Sequence, residues 1–159
     1  MKHTIKIIAV LVTMAIFSNA SSYALDTTLL DMRNRIFEQS KELKALLPKT
    51  KNVIFVNNMW DTCVLTMTQL EGYFFMLGIF NTIKAESMSE ESIDYLGMWL
   101  NEIKRTNTLN IKGLNAITAP LESDAKAQVD KLKAYYNDLN TRIDSELKKL
   151  SLLKKTVLK

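Results

Sequence analysis

From Asp26 onward the apolar residues recur at steps of three and four, the period of an α-helix. No stretch alternates β-branched with polar residues, and the whole chain holds only 4 glycines and 2 prolines. The spacing predicts four helices. The first runs from about Asp26 to Leu46, with Leu29, Met32, Ile36, Leu43 and Leu47 as its buried stripe and Ser40 interrupting it. Asp26 or Thr27 can cap it. Pro48 ends it, because the residue before a proline is pushed out of helical geometry.

The second helix is predicted over Lys51 to Ala85, with a stripe of Val56, Met59, Cys63, Met67, Leu70, Phe74 and Leu77. The third starts after Ser89. That serine is a good N-cap, Glu90 and Glu91 suit the helix dipole, and Met88 with Ile93 form a hydrophobic staple. Its stripe continues through Leu96, Leu100, Ile103, Asn107, Asn110 or Ile111, Leu114 and Ile117. The weak helix formers Thr106 to Asn110, with Gly113 after them, predict a kink. The fourth is predicted to begin near Pro120, a favoured first-turn proline. Its stripe is Val129, Leu132, Tyr136, Leu139, Ile143, Leu147 or Glu146, Leu150 and Leu153, a near-heptad that favours long antiparallel packing.

The predicted connections are short, so successive helices become antiparallel neighbours. The expected fold is all-α, an antiparallel up-down four-helix bundle with a short first helix. The alternative is three long helices with the short N-terminal helix packed across one end.

Residues 1–24 carry a different pattern, with the three parts of a cleavable secretory signal peptide. Lys2, His3 and Lys6 make a basic start, Ile7 to Phe17 is uncharged and apolar, and Ser18 to Ala24 is rich in small residues. Cleavage fits best after Ala24, with Ala20 as the second choice. The apolar run of about 11 residues is well short of the ~20 that span a bilayer. The expectation is therefore a signal at 1–24, one domain at 25–159, and an exported protein, periplasmic or secreted.

Charge narrows the function. The chain carries 21 Lys and Arg against 17 Asp and Glu, a net charge of +4. Two of those cations, Lys2 and Lys6, lie in the signal, so the remainder is close to balanced. That composition does not suggest nucleic-acid binding. The C-terminal lysines 148, 149, 154, 155 and 159 read as a solvated face, with membrane contact at most peripheral.

Candidate chemistry is scarce. The single histidine, His3, falls in the signal, which leaves no imidazole base, no His-containing zinc site and no Glu-x-x-His pair for a di-iron bundle. No Gly-rich phosphate loop, calcium loop or Gly-x-Ser-x-Gly elbow occurs. The expectation is a non-enzymatic protein without cofactor or metal. The lone Cys63 sits in the core stripe and reads as a buried thiol rather than an intermolecular disulfide. Glu71 is the one candidate acid, placed at the core margin where a lysine of a neighbouring helix can pair with it.

The strongest signal is Leu65 to Phe80, LTMTQLEGYFFMLGIF, whose apolar residues go all round the helix. At about 100° per residue, Phe75 and Ile79 fall about 120° and 160° from Cys63. A four-helix bundle gives each helix an outward face, so part of this surface is expected to stay exposed, and exposed apolar patches mark interfaces. The candidate interface is Tyr73, Phe75, Met76, Ile79 and Phe80, with Trp60 as a further anchor. The expected partner is another exported or envelope protein, or a second copy of the chain. The alternative is a carrier of small apolar ligands or lipid, with a cavity lined by Met59, Met67, Phe74 and Met98.

Overall fold

The computed structural model describes residues 27–83 and 88–157. The candidate signal, its cleavage points and the cap at Asp26 lie outside the described residues.

The apolar periodicity becomes four α-helices: α1 (Thr27–Leu46, 20 residues), α2 (Val53–Ile83, 31 residues), α3 (Glu90–Asn115, 26 residues) and α4 (Ser123–Val157, 35 residues). A single 3₁₀ turn, Leu47–Lys49, carries Pro48 early in the turn and brings α1 to its end. Each helix packs on its neighbours in chain order, and α1 closes the ring against α4. The chain is an all-α four-helix bundle.

Side-chain pairs show the directions. Arg33 faces Glu71 and, eleven residues on, Lys44 faces Trp60, eleven residues back, so α1 and α2 run antiparallel. Arg35 to Asp138 and Lys131 to Glu42 give the same sense for α1 and α4. Lys104 to Asp144 and Lys154 to Asp94 do so for α3 and α4. The short first helix lies along the bundle rather than across one end. Its register places Thr27 level with about residue 77 of α2.

The core repeats the predicted stripes with two exchanges. Leu29, Met32, Ile36 and Leu43 of α1 are buried, with Ser40 between them turning its hydroxyl to the Phe37 carbonyl at 2.7 Å. On α2 the buried line is Val56, Met59, Cys63, Thr66, Leu70, Tyr73 and Leu77. Thr66 and Tyr73 replace the expected Met67 and Phe74, which become half-buried flanks. The reason is hydrogen bonding. The Thr66 hydroxyl donates to the Thr62 carbonyl at 2.8 Å, and the Tyr73 hydroxyl to Glu146 at 3.1 Å, so both enter the core with partners. On α4 the open choice between Leu147 and Glu146 falls to the carboxylate, which is fully buried and also meets Lys149 Nζ at 3.1 Å.

Two further expectations change. α3 runs unbroken through Thr106 to Asn110, because Asn107 is buried and donates to Asn140 of α4 at 3.2 Å. α4 begins at Ser123, three residues after Pro120. Glu122 is used to tie two connections together: it accepts from the Lys51 backbone N–H and the Thr50 hydroxyl at 2.9 Å each, while its own N–H donates to Asn52 Oδ1 at 3.0 Å. Those bonds hold its carboxyl below the usual carboxylate range. At the other end Ser89 caps α3 by accepting from the Ser92 N–H, and Met88 and Ile93 are both buried, as a staple requires.

Candidate functional site: the outer face of α2 and α3

α2 carries only two charges in 31 residues, Asp61 and Glu71, and no cation. With one third of its most apolar window inside the bundle, it is long and apolar enough to cross a membrane by length and composition alone. What the rest of its surface does is therefore the central question.

The structure distributes the six candidate residues over four environments. Tyr73 is fully buried and belongs to the core, so it is removed from the interface set. Its polar hydroxyl, bonded to Glu146, made that burial possible. Trp60 is half-buried at the seam with α1, where the Lys44 ammonium lies 5.6 Å from its ring centre. Met76 and Phe80, one turn apart, are half-buried toward α3, and the Phe80 ring meets Tyr95 edge-on at 5.9 Å. Phe75 is 64% exposed and Ile79 half-buried; these two point away from the core.

Around Phe75 the structure adds residues that the sequence reading did not select for this face. Leu65 of α2 is exposed, as are Tyr95, Met98 and Leu109 of α3. Gln69 of α2 meets Thr106 of α3, and eleven residues on Phe80 meets Tyr95, eleven residues back. That register sets the Met98 level beside Phe75–Leu77 and the Leu109 level beside Leu65–Thr66. The exposed apolar residues of the two helices therefore stand at matching levels, while Phe75, 120° from Cys63, is turned toward the α1 side of α2. A signal for it existed: Met98 and Leu109 lie off the buried stripe of α3.

Gly72 holds the two helices close. Its backbone lies under Trp99, and an added Cβ would stand 2.5 Å from Trp99 Cζ2. The indole is anchored there, donating from Nε1 to the Gln69 carbonyl at 2.9 Å. Tyr95 tilts against the same ring, with the two centres 6.0 Å apart.

Charge interrupts the face without covering it. Glu102 and Arg105 pair with each other at its centre on α3, which lowers the Glu102 pKa. Glu71 takes the boundary role expected for it, but its partner is Arg33 of α1 rather than a lysine. By contrast, Phe37 on α1 has both Arg33 and Lys41 over its ring. Among the described residues, Phe75 meets no such cation.

The other candidate chemistry is dispersed. Cys63 is fully buried, and burial pushes its thiol up to about 12. The four residues of the carrier reading do not surround one space: Met59 is core, Met67 and Phe74 are half-buried, and Met98 is 70% exposed on the outside of α3. Among the described residues, no group of three or more His, Cys, Asp or Glu is placed to hold a metal ion. Of the C-terminal lysines, Lys154 bridges Glu90 and Asp94 of α3, and Lys149 meets Glu146. Lys159 lies outside the described residues.

No family model matches the chain, and comparison with curated proteins and with solved structures finds no match.

Proposed function

We infer that this chain is an exported, non-enzymatic interaction module that docks a protein partner through the outer face of α2 and α3. The observation that carries the reading is the exposure of Phe75, at 64%, together with that of Leu65 and Met98, on the outside of a bundle whose core is complete without them. Large apolar side chains grouped on one face of a small domain are the usual mark of a protein interface, where aromatic residues and methionine are enriched. Export is supported by the basic, apolar and small-residue sequence of residues 1–24.

The test is a photo-crosslinking phenylalanine analogue at Phe75, expressed in the native host. The reading expects a discrete covalent adduct with a protein, absent when the analogue replaces the exposed Ala134 on the far side of the bundle. Equal labelling at both positions, or no adduct at Phe75, overturns it.

A further inference from the structure

The end of the bundle that carries the turn between α1 and α2 joins unpaired cations to a projecting aliphatic side chain. Ile54, in the first turn of α2, is 80% exposed, the highest value for a large apolar residue among those described, and Val53 beside it is also exposed. Two residues before the buried Val56, Ile54 is turned about 160° away from the core. Lys49 and Lys51, in the turn itself, are exposed, as are Lys44 in the last turn of α1 and Lys126 at the start of α4.

Elsewhere the bundle pairs its lysines: Lys41, Lys104, Lys131 and Lys154 all meet carboxylates. Among the described residues, Lys44, Lys49, Lys51 and Lys126 form no ion pair, and Lys44 lies instead over the Trp60 ring. The first turn of α2 holds no acid. Glu122 uses its carboxylate to accept from the Thr50 hydroxyl and the Lys51 backbone N–H, which leaves Asp124 as the other acid at this end. The same bonds brace the turn: Thr50 is buried, and its Oγ1 also accepts from the Asn52 N–H at 3.0 Å. Ile54 and the two turn lysines are therefore presented on a fixed support, which lowers the ordering cost of binding.

We propose that this end of the bundle docks on an anionic lipid surface, with Ile54 and Val53 entering the headgroup layer and Lys44, Lys49, Lys51 and Lys126 facing lipid phosphates. The cations come from α1, the turn and α4, so they answer a sheet of negative charge rather than a single anion. The aliphatic pair projects from the end of the bundle, and hydrocarbon behind the headgroups receives it. With four cations and two aliphatic side chains, the contact is reversible and weakens with salt. Phe75 lies 21 residues further along α2, about 32 Å away, so this surface is separate from the one proposed to dock a protein.

The experiment uses protein purified from the native host and vesicles of equimolar phosphatidylglycerol and phosphatidylcholine, with pure phosphatidylcholine as the neutral control. An environment-sensitive maleimide dye is attached to Ile54→Cys, and in a second protein to Ala134→Cys; the native Cys63 is buried. The expected result is a blue shift at Ile54→Cys with anionic vesicles only, reversed by high salt, and none at Ala134→Cys. In vesicle flotation, with helicity checked for every variant, Lys49→Ala combined with Lys51→Ala weakens binding roughly 30-fold, about five-fold for each lysine. Ile54→Asp abolishes binding and Phe75→Asp leaves it unchanged. An unmoved dye at Ile54→Cys, an equal response to neutral vesicles, or flotation that survives the Lys49, Lys51 and Ile54 substitutions overturns the proposal. A dye that responds to an acidic host protein and not to vesicles overturns it too, as does flotation lost in Phe75→Asp. The Phe75 cross-link is read separately, so either result stands without the other.

Discussion

Cys63, Tyr135 and Tyr136 form a buried titratable group inside the bundle. Tyr135 donates to the Met32 carbonyl at 3.1 Å, and the Tyr136 ring stands near Thr62, Thr66 and Asn110. Burial pushes Cys63 from 9.0 and Tyr136 from 10.0 up to about 12, and raises Tyr135 as well. The folded state thus keeps protons that the unfolded chain releases. Below pH 9 both states are protonated and these groups are silent. Above it the unfolded state binds fewer protons, so stability falls as pH rises. Each group adds a slope of up to about 1.4 kcal/mol per pH unit until it ionises in the fold. Urea unfolding from pH 8 to 11 should show this loss, with Cys63→Ala flattening the part between pH 9 and 10. A thiol reagent that labels native Cys63 readily at pH 8 would contradict the burial on which this rests.

At the scale of the element, α2 explains both the success and the limits of reading the chain. Its position as a long apolar helix was legible because steps of three and four persist over its length. The two misplaced core positions have one cause: Met67 and Phe74 are more apolar than Thr66 and Tyr73, yet the polar pair has partners inside. Those partners come from a preceding turn for Thr66 and from α4 for Tyr73, and only the second is beyond local sequence. Phe75 and Ile79 were legible as outward because their angle from Cys63 is fixed by helix geometry. Tyr95, Met98 and Leu109 were not selected for the interface, since their place beside α2 depends on the register between two helices. Gly72 belongs to that same register. Gly72→Ala gains about 1 kcal/mol of helix propensity. It also drives a Cβ into Trp99, whose indole is held by the Gln69 carbonyl, and overpacking of this kind costs about 1–3 kcal/mol. The expected outcome is a net loss in denaturant stability with a change in tryptophan fluorescence. Unchanged stability and fluorescence would mean that the ring swings aside freely.

For the whole molecule, the separation between what holds the bundle together and what it offers outside is the organising feature. The interior is closed by four stripes and by cross-helix bonds such as Tyr73 to Glu146 and Asn107 to Asn140. The outer apolar residues of α2 and α3 take no part in those bonds. The central claim is that this face serves association and not folding. The most direct measurement is the Leu65→Asp, Phe75→Asp double variant, followed by thermal melting of the purified protein and by chemical cross-linking in the native host, in parallel with the wild type. Exposed positions of this kind change stability by only about 0.5 kcal/mol each. The account predicts a nearly unchanged melting temperature and helicity, with association abolished. A fall in stability of about 2–5 kcal/mol, the size expected for a core position, or association that persists at wild-type strength, would contradict it.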